Sequence, residues 1–185
     1  MSARLSDEQL AALGYAQVLA EAGVPIFAAK PDMNAEEWNA RGGHGATGYW
    51  LPKDWQRTTP GAERIEKWRN GYALAAVMGV VVDGLDVDPR HGGKRSAKAL
   101  RKAGLWPVSL GRQETPSGGY HDLIATLGRA SLDGLDVGVD FKGGTAEGSG
   151  RGFLFIAPTV KLSKATDELG VYRWLTPPTL AGLTL

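Results

Sequence analysis

No cysteine occurs in the 185 residues. Disulfides and thiolate zinc sites are thereby excluded. Histidine is almost as scarce: His44, His91 and His121 are the only three, too few for a histidine-rich metal site. A catalytic metal would have to lean on carboxylates, and that favours a hard cation such as Mg2+ or Mn2+. Long apolar runs are also missing. None approaches the ~20 residues that span a bilayer, and the polar stretch Met1 to Gln9 lacks a signal-peptide core. A cytoplasmic protein with no membrane partner is the expectation.

Net charge is nearly absent as well, at +1, which by itself points to no nucleic-acid partner. The distribution is less even. Arg90, Lys94, Arg95, Lys98, Arg101 and Lys102 fall within one short segment that no acid interrupts. A solvated helix face is the ordinary reading of such a run. Here it begins two residues after a pair of carboxylates, so phosphate contact is an equal alternative.

What the chain does contain is ordinary for one globular domain: 43% hydrophobic and 22% charged residues. Ser6 and Gln9 form a capping-box pattern ahead of a helix that runs to about Ala22, marked by Leu10, Leu13, Ala16, Val18 and Leu19. Val24 to Ala29 reads as a strand. Pro31 to Pro60 reads as a long loop with short helical pieces, and Pro60 to Asn70 as a helix with Ile65 and Trp68 on one face. Tyr72 to Val82 is β-prone, and Leu85 to Asp88 continues the sheet after a turn at Asp83-Gly84. Lys94 to Ala103 is a helix. Tyr120 to Ala125, Leu135 to Phe141, Phe153 to Ala157 and Val171 to Leu175 are further strands. The pattern implies α+β or mixed α/β packing. No repeat and no interdomain linker is evident.

The sharpest local signal is Leu85-Asp86-Val87-Asp88. Strand side chains alternate faces, so Asp86 and Asp88 project together while Leu85 and Val87 enter the core. Two such carboxylates raise each other's pKa unless a cation lies between them, and a divalent metal would compensate. Asp136, Gly138, Asp140 and Lys142 share a second parity, with Leu135, Val137, Val139 and Phe141 behind them. If the two strands are neighbours, Asp140 joins Asp86 and Asp88, and three carboxylates can hold two metals for in-line phosphoryl transfer. Asp136 lies further along and is the weaker member. A D-x-D tripeptide alone is common on exposed strands; two acidic strands in one small domain are less so.

Thr115-Pro116-Ser117-Gly118-Gly119-Tyr120-His121 follows. Ser117 offers a hydroxyl, Gly118 and Gly119 let the backbone approach a ligand, and His121 could donate to a triphosphate. Without the carboxylates this is an ordinary hairpin turn. Gly143-Gly144 after Lys142 is a comparable element. His44 reads as a loop residue. Of the six tryptophans, only Trp50 and Trp55 suggest base stacking. Gly92-Gly93-Lys94 is not a P-loop, because Asp88 stands where the first glycine is required.

In order along the chain, Asp86-Val87-Asp88-Pro89-Arg90-His91-Gly92-Gly93, Thr115 to His121, and Val139-Asp140-Phe141-Lys142-Gly143 resemble the Prim-Pol branch of the archaeo-eukaryotic primase superfamily. Gly152 to Pro158, Tyr172, Trp174, Gly23 to Pro31 and the stretch around Trp68 extend the resemblance over most of the chain. It implies a single catalytic domain on an RRM-like antiparallel or mixed sheet with flanking helices and an N-terminal α/β lobe. That domain would span 1–185, divisible into a subdomain 1–80 packed on a catalytic sheet 81–185. It implies Asp86, Asp88 and Asp140 as ligands of two Mg2+ or Mn2+ ions. Ser117, Gly118, Gly119 and His121 would bind the nucleotide, with Lys142 and Arg90 as further phosphate contacts. Lys94, Arg95, Lys98 and Arg101 would touch DNA.

The implied activity is primase/polymerase chemistry. A 3′-hydroxyl on single-stranded DNA attacks the α-phosphate of an NTP or dNTP. Members of the family in phages and plasmids often carry a helicase domain. The expectation is therefore a fragment of a longer replication protein, or a helicase partner, in a bacterial host cytoplasm. A nuclease, a DxD glycosyltransferase and a non-catalytic DNA-binding module remain open at this point.

Overall fold

The structure, a computed structural model, describes residues 4–31, 48–163 and 165–180. Helix α1 (Asp7–Glu21) starts where the capping box requires. Ser6 Oγ accepts the Gln9 amide at 3.1 Å and Gln9 Oε1 accepts the Ser6 amide at 3.0 Å. Its buried stripe is Ala12, Ala16, Leu19 and Ala20, whereas Leu10 and Val18 are exposed. Small alanines let the helix lie close on a sheet.

That sheet has four strands in the order β2-β1-β3-β9: Tyr49–Trp50, Ile26–Pro31, Ala73–Val77 and Phe153–Ile156, each pair antiparallel. Strand β3 is buried at all five positions. Leu74 and Ala76 join one core with α1, while Ala73, Ala75 and Val77 join another on the far face. A strand sandwiched in this way must be apolar throughout. The fourth strand, β9, comes from the C-terminal half of the chain.

A second sheet has six strands in the order β12-β5-β6-β4-β8-β7, all antiparallel pairs. They are β4 (Val82–Val87), β5 (Gly111–Glu114), β6 (Tyr120–Ala125), β7 (Leu132–Asp136), β8 (Val139–Lys142) and β12 (Arg173–Thr176). Helix α2 (Gly93–Lys102) crosses between β4 and β5 and packs Ala97 on Leu85, Val87, Val139 and Phe141. β10 (Val160–Leu162) and β11 (Leu169–Val171) form a separate ribbon. The architecture is α+β: few helices on antiparallel sheets.

Several expectations change. Residues 135–141 are not one strand. Asp136 pairs with Val139, and Gly138 turns the chain at φ +69°. β7 and β8 therefore form a hairpin, and Leu135 and Val137 are exposed. Asp83-Gly84 is no turn but lies within β4. Gly84 is glycine because a Cβ there would overlap Leu154 of the neighbouring sheet. Asp83 is buried; its carboxylate accepts the Leu127 amide at 2.6 Å. Burial raises its pKa, and the hydrogen bonds from Leu127, Thr126 and Gly79 only partly offset that. The expected helix around Ile65 and Trp68 is a 3-10 segment, Ala62–Lys67. Within the long loop, Tyr49–Trp50 is a strand, and residues 32–47, including His44, lie outside the described residues.

Strand β5 escaped the sequence reading because Gly-Arg-Gln-Glu carries no apolar alternation. It is held on the α2 face by ion pairing. Asp122, fully buried, takes Arg112 Nε at 2.6 Å and Arg112 Nη2 at 2.7 Å. It also takes Trp106 Nε1 at 2.9 Å, Ser109 Oγ at 3.1 Å and Arg101 at 3.2 Å. Arg101 and Arg112 flank the Tyr120 ring at 5.3 and 4.6 Å. Burial pushes the Asp122 carboxyl up, but these donors, Arg112 foremost, hold it below the ordinary value. A depressed folded pKa stabilises the fold fully above the unfolded value and ceases to do so as pH falls through the folded one. Asp122→Ala should therefore cost about 3–5 kcal/mol in urea unfolding, the usual penalty for stripping one partner from a buried pair. The part of acid unfolding that comes from Asp122 should vanish in the same variant. A loss below ~1 kcal/mol would show the cluster to be ornamental.

Candidate active site

β4 is paired on both sides, and its register builds the site. Asp86 stands opposite His121 on β6 and opposite Asp140 on β8. His121 in turn stands opposite Gln113 on β5. Directly opposed residues in antiparallel strands share a face, with Cα atoms about 4.5–5.5 Å apart. Gln113, His121, Asp86 and Asp140 thus form one row across four strands. The row runs outward from the core: Gln113 is 1% exposed, and the side chains of His121, Asp86 and Asp140 are 4%, 35% and 38% exposed. The carboxyl of Asp140 is on the same side of the sheet as that of Asp86. Lys142, two residues on, shares this face; Leu85, Val87, Val139 and Phe141 take the other.

Asp88 follows the end of β4, where its amide donates to the Gly138 carbonyl at 2.9 Å. Gly93 approaches the same corner so closely that a Cβ would overlap the Gly138 and Asp88 carbonyl oxygens. Gly92, at φ +81°, begins α2. Gly93 serves close backbone packing, whereas Gly92 serves the left-handed turn into the helix.

Each carboxylate has its own basic partner. Asp86 faces His121 Nε2 at 3.4 Å. Asp88 holds the Arg90 guanidinium through both oxygens, with His91 Nδ1 at 3.2 Å. Asp140 faces Lys142 Nζ at 3.3 Å and accepts the Gly134 amide at 2.7 Å. Lys142 also reaches Asp133. For Asp86, burial raises the pKa most. The field and hydrogen bond of His121, with Lys142 behind them, outweigh burial and the opposing effect of Asp88, so the net shift is downward. Asp88 is also lowered, because Arg90 overcomes desolvation. The mutual repulsion expected of the Asp pair is present but is compensated by side chains.

A cleft of about 170 Å3 opens beside this row, lined among others by Asp86, Asp88, Arg90, Ser117, His121 and Tyr172. The first half of the loop Thr115–Gly119 contributes to its wall. Gly118 adopts φ +74° with open space beside it. A Cβ on Gly119 would overlap the Val87 carbonyl oxygen, so this glycine docks the loop on β4. The amides of Gly118 and Gly119 already bond Thr115, at 2.9 and 3.1 Å. Ser117 lines the cleft together with Thr115 and Pro116. Gly143 and Gly144 pack against Arg129 and Gly79 in the same space-saving way. Trp55 is packed on Phe153, at 4.8 Å between centroids, while Trp50 is 66% exposed.

Among the described residues, no three of the His, Asp and Glu side chains converge as a metal cage. Asp86 and Asp140 oppose each other, and Asp88 is turned toward Arg90. α2 lies on the face away from the acidic row. Lys94, Arg95 and Lys98 are exposed on it, whereas Arg101 is committed to Asp122. The sequence reading missed Gln113, whose amide lies 2.8 Å from His121 Nδ1, and Lys161 and Tyr172, which line the cleft. Gln113 and Lys161 sit in no motif, and Tyr172 entered only through the family resemblance, without a site role; the tertiary fold brings all three to the site.

No helix among the described residues is long and apolar enough to cross a membrane. No curated protein matches the chain. The family model of the bifunctional DNA primase/polymerase N-terminal domain, Prim-Pol, matches residues 16–183 and so takes in every element of the acidic row, the serine-glycine loop and the cleft. The chain belongs to the Prim-Pol family and is a DNA primase/polymerase domain.

Proposed function

We propose that the domain catalyses template-directed nucleotidyl transfer, joining an NTP or dNTP to a 3′-hydroxyl on single-stranded DNA with two divalent cations held by Asp86, Asp88 and Asp140. The observation that carries this reading is the direct opposition of Asp86 and Asp140 across paired strands, beside a cleft that His121 and Ser117 line. The donor set is all oxygen, which suits Mg2+ or Mn2+. Asp86 and Asp140 fit as the nucleus of the site. Asp88 completes it by exchanging the Arg90 guanidinium for a cation. The strand order β5-β6-β4-β8, with α2 crossing from β4 to β5, supports an RRM-like reading of the catalytic sheet, with the edge strand β7 standing in chain order where a second helix would be.

Bound cations would lower the pKa of the attacking hydroxyl and neutralise charge on the triphosphate. The protein's own groups do the rest. Asp86 and Asp140 fix where positive charge can sit. His121 and Ser117 donate hydrogen bonds to phosphate oxygens, and Arg90, released from Asp88, takes another. The hydroxyl oxygen bonds to the α-phosphorus, the bond to the bridging oxygen breaks, and pyrophosphate leaves; the hydroxyl proton passes to water. Lys94, Arg95 and Lys98 contact template phosphates. A helicase, in the same chain or a separate one, supplies unwinding.

With labelled dNTPs, a primed template and Mn2+, wild-type protein should lengthen the primer, and EDTA should stop it while leaving DNA bound. Shortening of the strand instead would mean a nuclease. Asp86→Asn and Asp140→Asn should each lower extension about a thousandfold, several kcal/mol of transition-state stabilisation at about 1.4 kcal/mol per decade. Normal extension by either variant would end the assignment. Replacing Lys94, Arg95 and Lys98 by Ala should flatten the salt dependence of single-strand binding by about 2 in log–log slope, roughly 0.7 for each phosphate no longer neutralised. An unchanged slope would remove α2 from the DNA path.

A further inference from the structure

Of the two histidines described, His91 is exposed and His121 is almost wholly buried. A buried imidazole is defined by which nitrogen carries its proton, and here the backbone decides. The Gln113 side chain reaches across to β9, which among the described residues has a neighbour, β3, on one side only. Gln113 Nε2 lies 2.6 Å from the Phe155 carbonyl oxygen, and Gln113 Oε1 lies 3.1 Å from the Ala157 amide nitrogen. A carbonyl only accepts and an amide N–H only donates, so the orientation of the glutamine amide is determined. Flipping it would set oxygen against oxygen and N–H against N–H. One Nε2 hydrogen goes to Phe155. The other points at His121 Nδ1, 2.8 Å away, which must accept it with its lone pair. The imidazole proton is then on Nε2, the nitrogen that faces Asp86 at 3.4 Å.

We propose that Gln113 is a positioning residue that locks His121 in the Nε2–H tautomer, so that the imidazole meets the cleft as a hydrogen-bond donor. Carboxylate and phosphate oxygens are both acceptors. In the other tautomer an Nε2 lone pair would face them, and the row would repel the ligand it is built beside. The Tyr172 ring, 5.5 Å from the imidazole, restricts its rotation. Gln113 thereby ties the edge of one sheet to the active-site row of the other. The consequence for nucleotide binding rests on the nucleotidyl-transfer reading, whereas the tautomer does not.

Nitrogen-15 NMR of the His121 ring in the uncomplexed chain at alkaline pH tests the tautomer without any variant. An unprotonated Nδ1 and a protonated Nε2 are expected; a protonated Nδ1 overturns the proposal. Gln113→Met, which keeps the length and removes the amide, should yield a tautomer mixture, and an unchanged spectrum overturns it equally. In primer extension, Gln113→Met should raise the nucleotide KM in inverse proportion to the Nε2–H fraction that remains, about threefold where a third remains, with kcat changed less. In a His121→Ala background the same substitution should change KM less than twofold. A full, additive cost in that background would show that Gln113 acts through the fold and not through His121. If wild-type protein extends no primer while the Nε2–H tautomer is observed, nucleotidyl transfer fails and the positioning stands.

Discussion

The register of β4 against β6 and β8 is the constraint on which the site depends. Both pairings are antiparallel, so Asp86 meets His121 on one side and Asp140 on the other with all three on one face. A slip of one residue in either pairing would send its partner to the apolar face beneath α2. The glycines at the end of β4 hold the register. Gly119 docks against the Val87 carbonyl, and Gly93 and Gly138 meet beside Asp88. A side chain at any of these positions would push the loop or the hairpin away from the strand that carries the carboxylates.

The two faces of this sheet manage charge differently. On the α2 face two carboxylates are fully buried: Asp83, which accepts the Leu127 amide, and Asp122, which is surrounded by Arg112, Arg101, Trp106 and Ser109; Asp122 is the one with cationic partners. Its donors are numerous and close, the condition under which a buried charge is tolerated. The open face instead spreads three carboxylates along a gradient of exposure and gives each one a basic partner. Asp88 is paired with Arg90, Asp86 with His121 and Asp140 with Lys142. On the proposed nucleotidyl-transfer reading, a cation would compete with those partners, and a triphosphate would receive the ones displaced.

The two sheets meet at Gln113. Its amide completes hydrogen bonds for the backbone of β9 and for the His121 ring in one buried position. The packing of the N-terminal sheet is thereby coupled to the geometry of the acidic row on the other. Gly84, which admits Leu154 of β9 against β4, belongs to the same junction.

Some of this was determined by the sequence alone. The capping box at Ser6, strand β6 and the extent of α2 follow from local chemistry, and the parity of Asp86 and of Asp140 with Lys142 is a property of any strand. The order of the three motifs was enough to indicate the family. Tertiary structure decided what depends on distant pairing. The chain could not show that residues 135–141 fold back at Gly138, because a left-handed glycine and a strand glycine are the same letter. It could not show β5, whose polar residues are held by Asp122 and by β9 and not by an apolar face. Nor could it show that Arg101 serves the fold while its neighbours on α2 stay exposed, since charge runs do not reveal which member has a buried partner. Gln113 is the clearest case. Nothing in its neighbourhood along the chain marks it, and its position beside His121 exists only because β5, β6 and β9 come together.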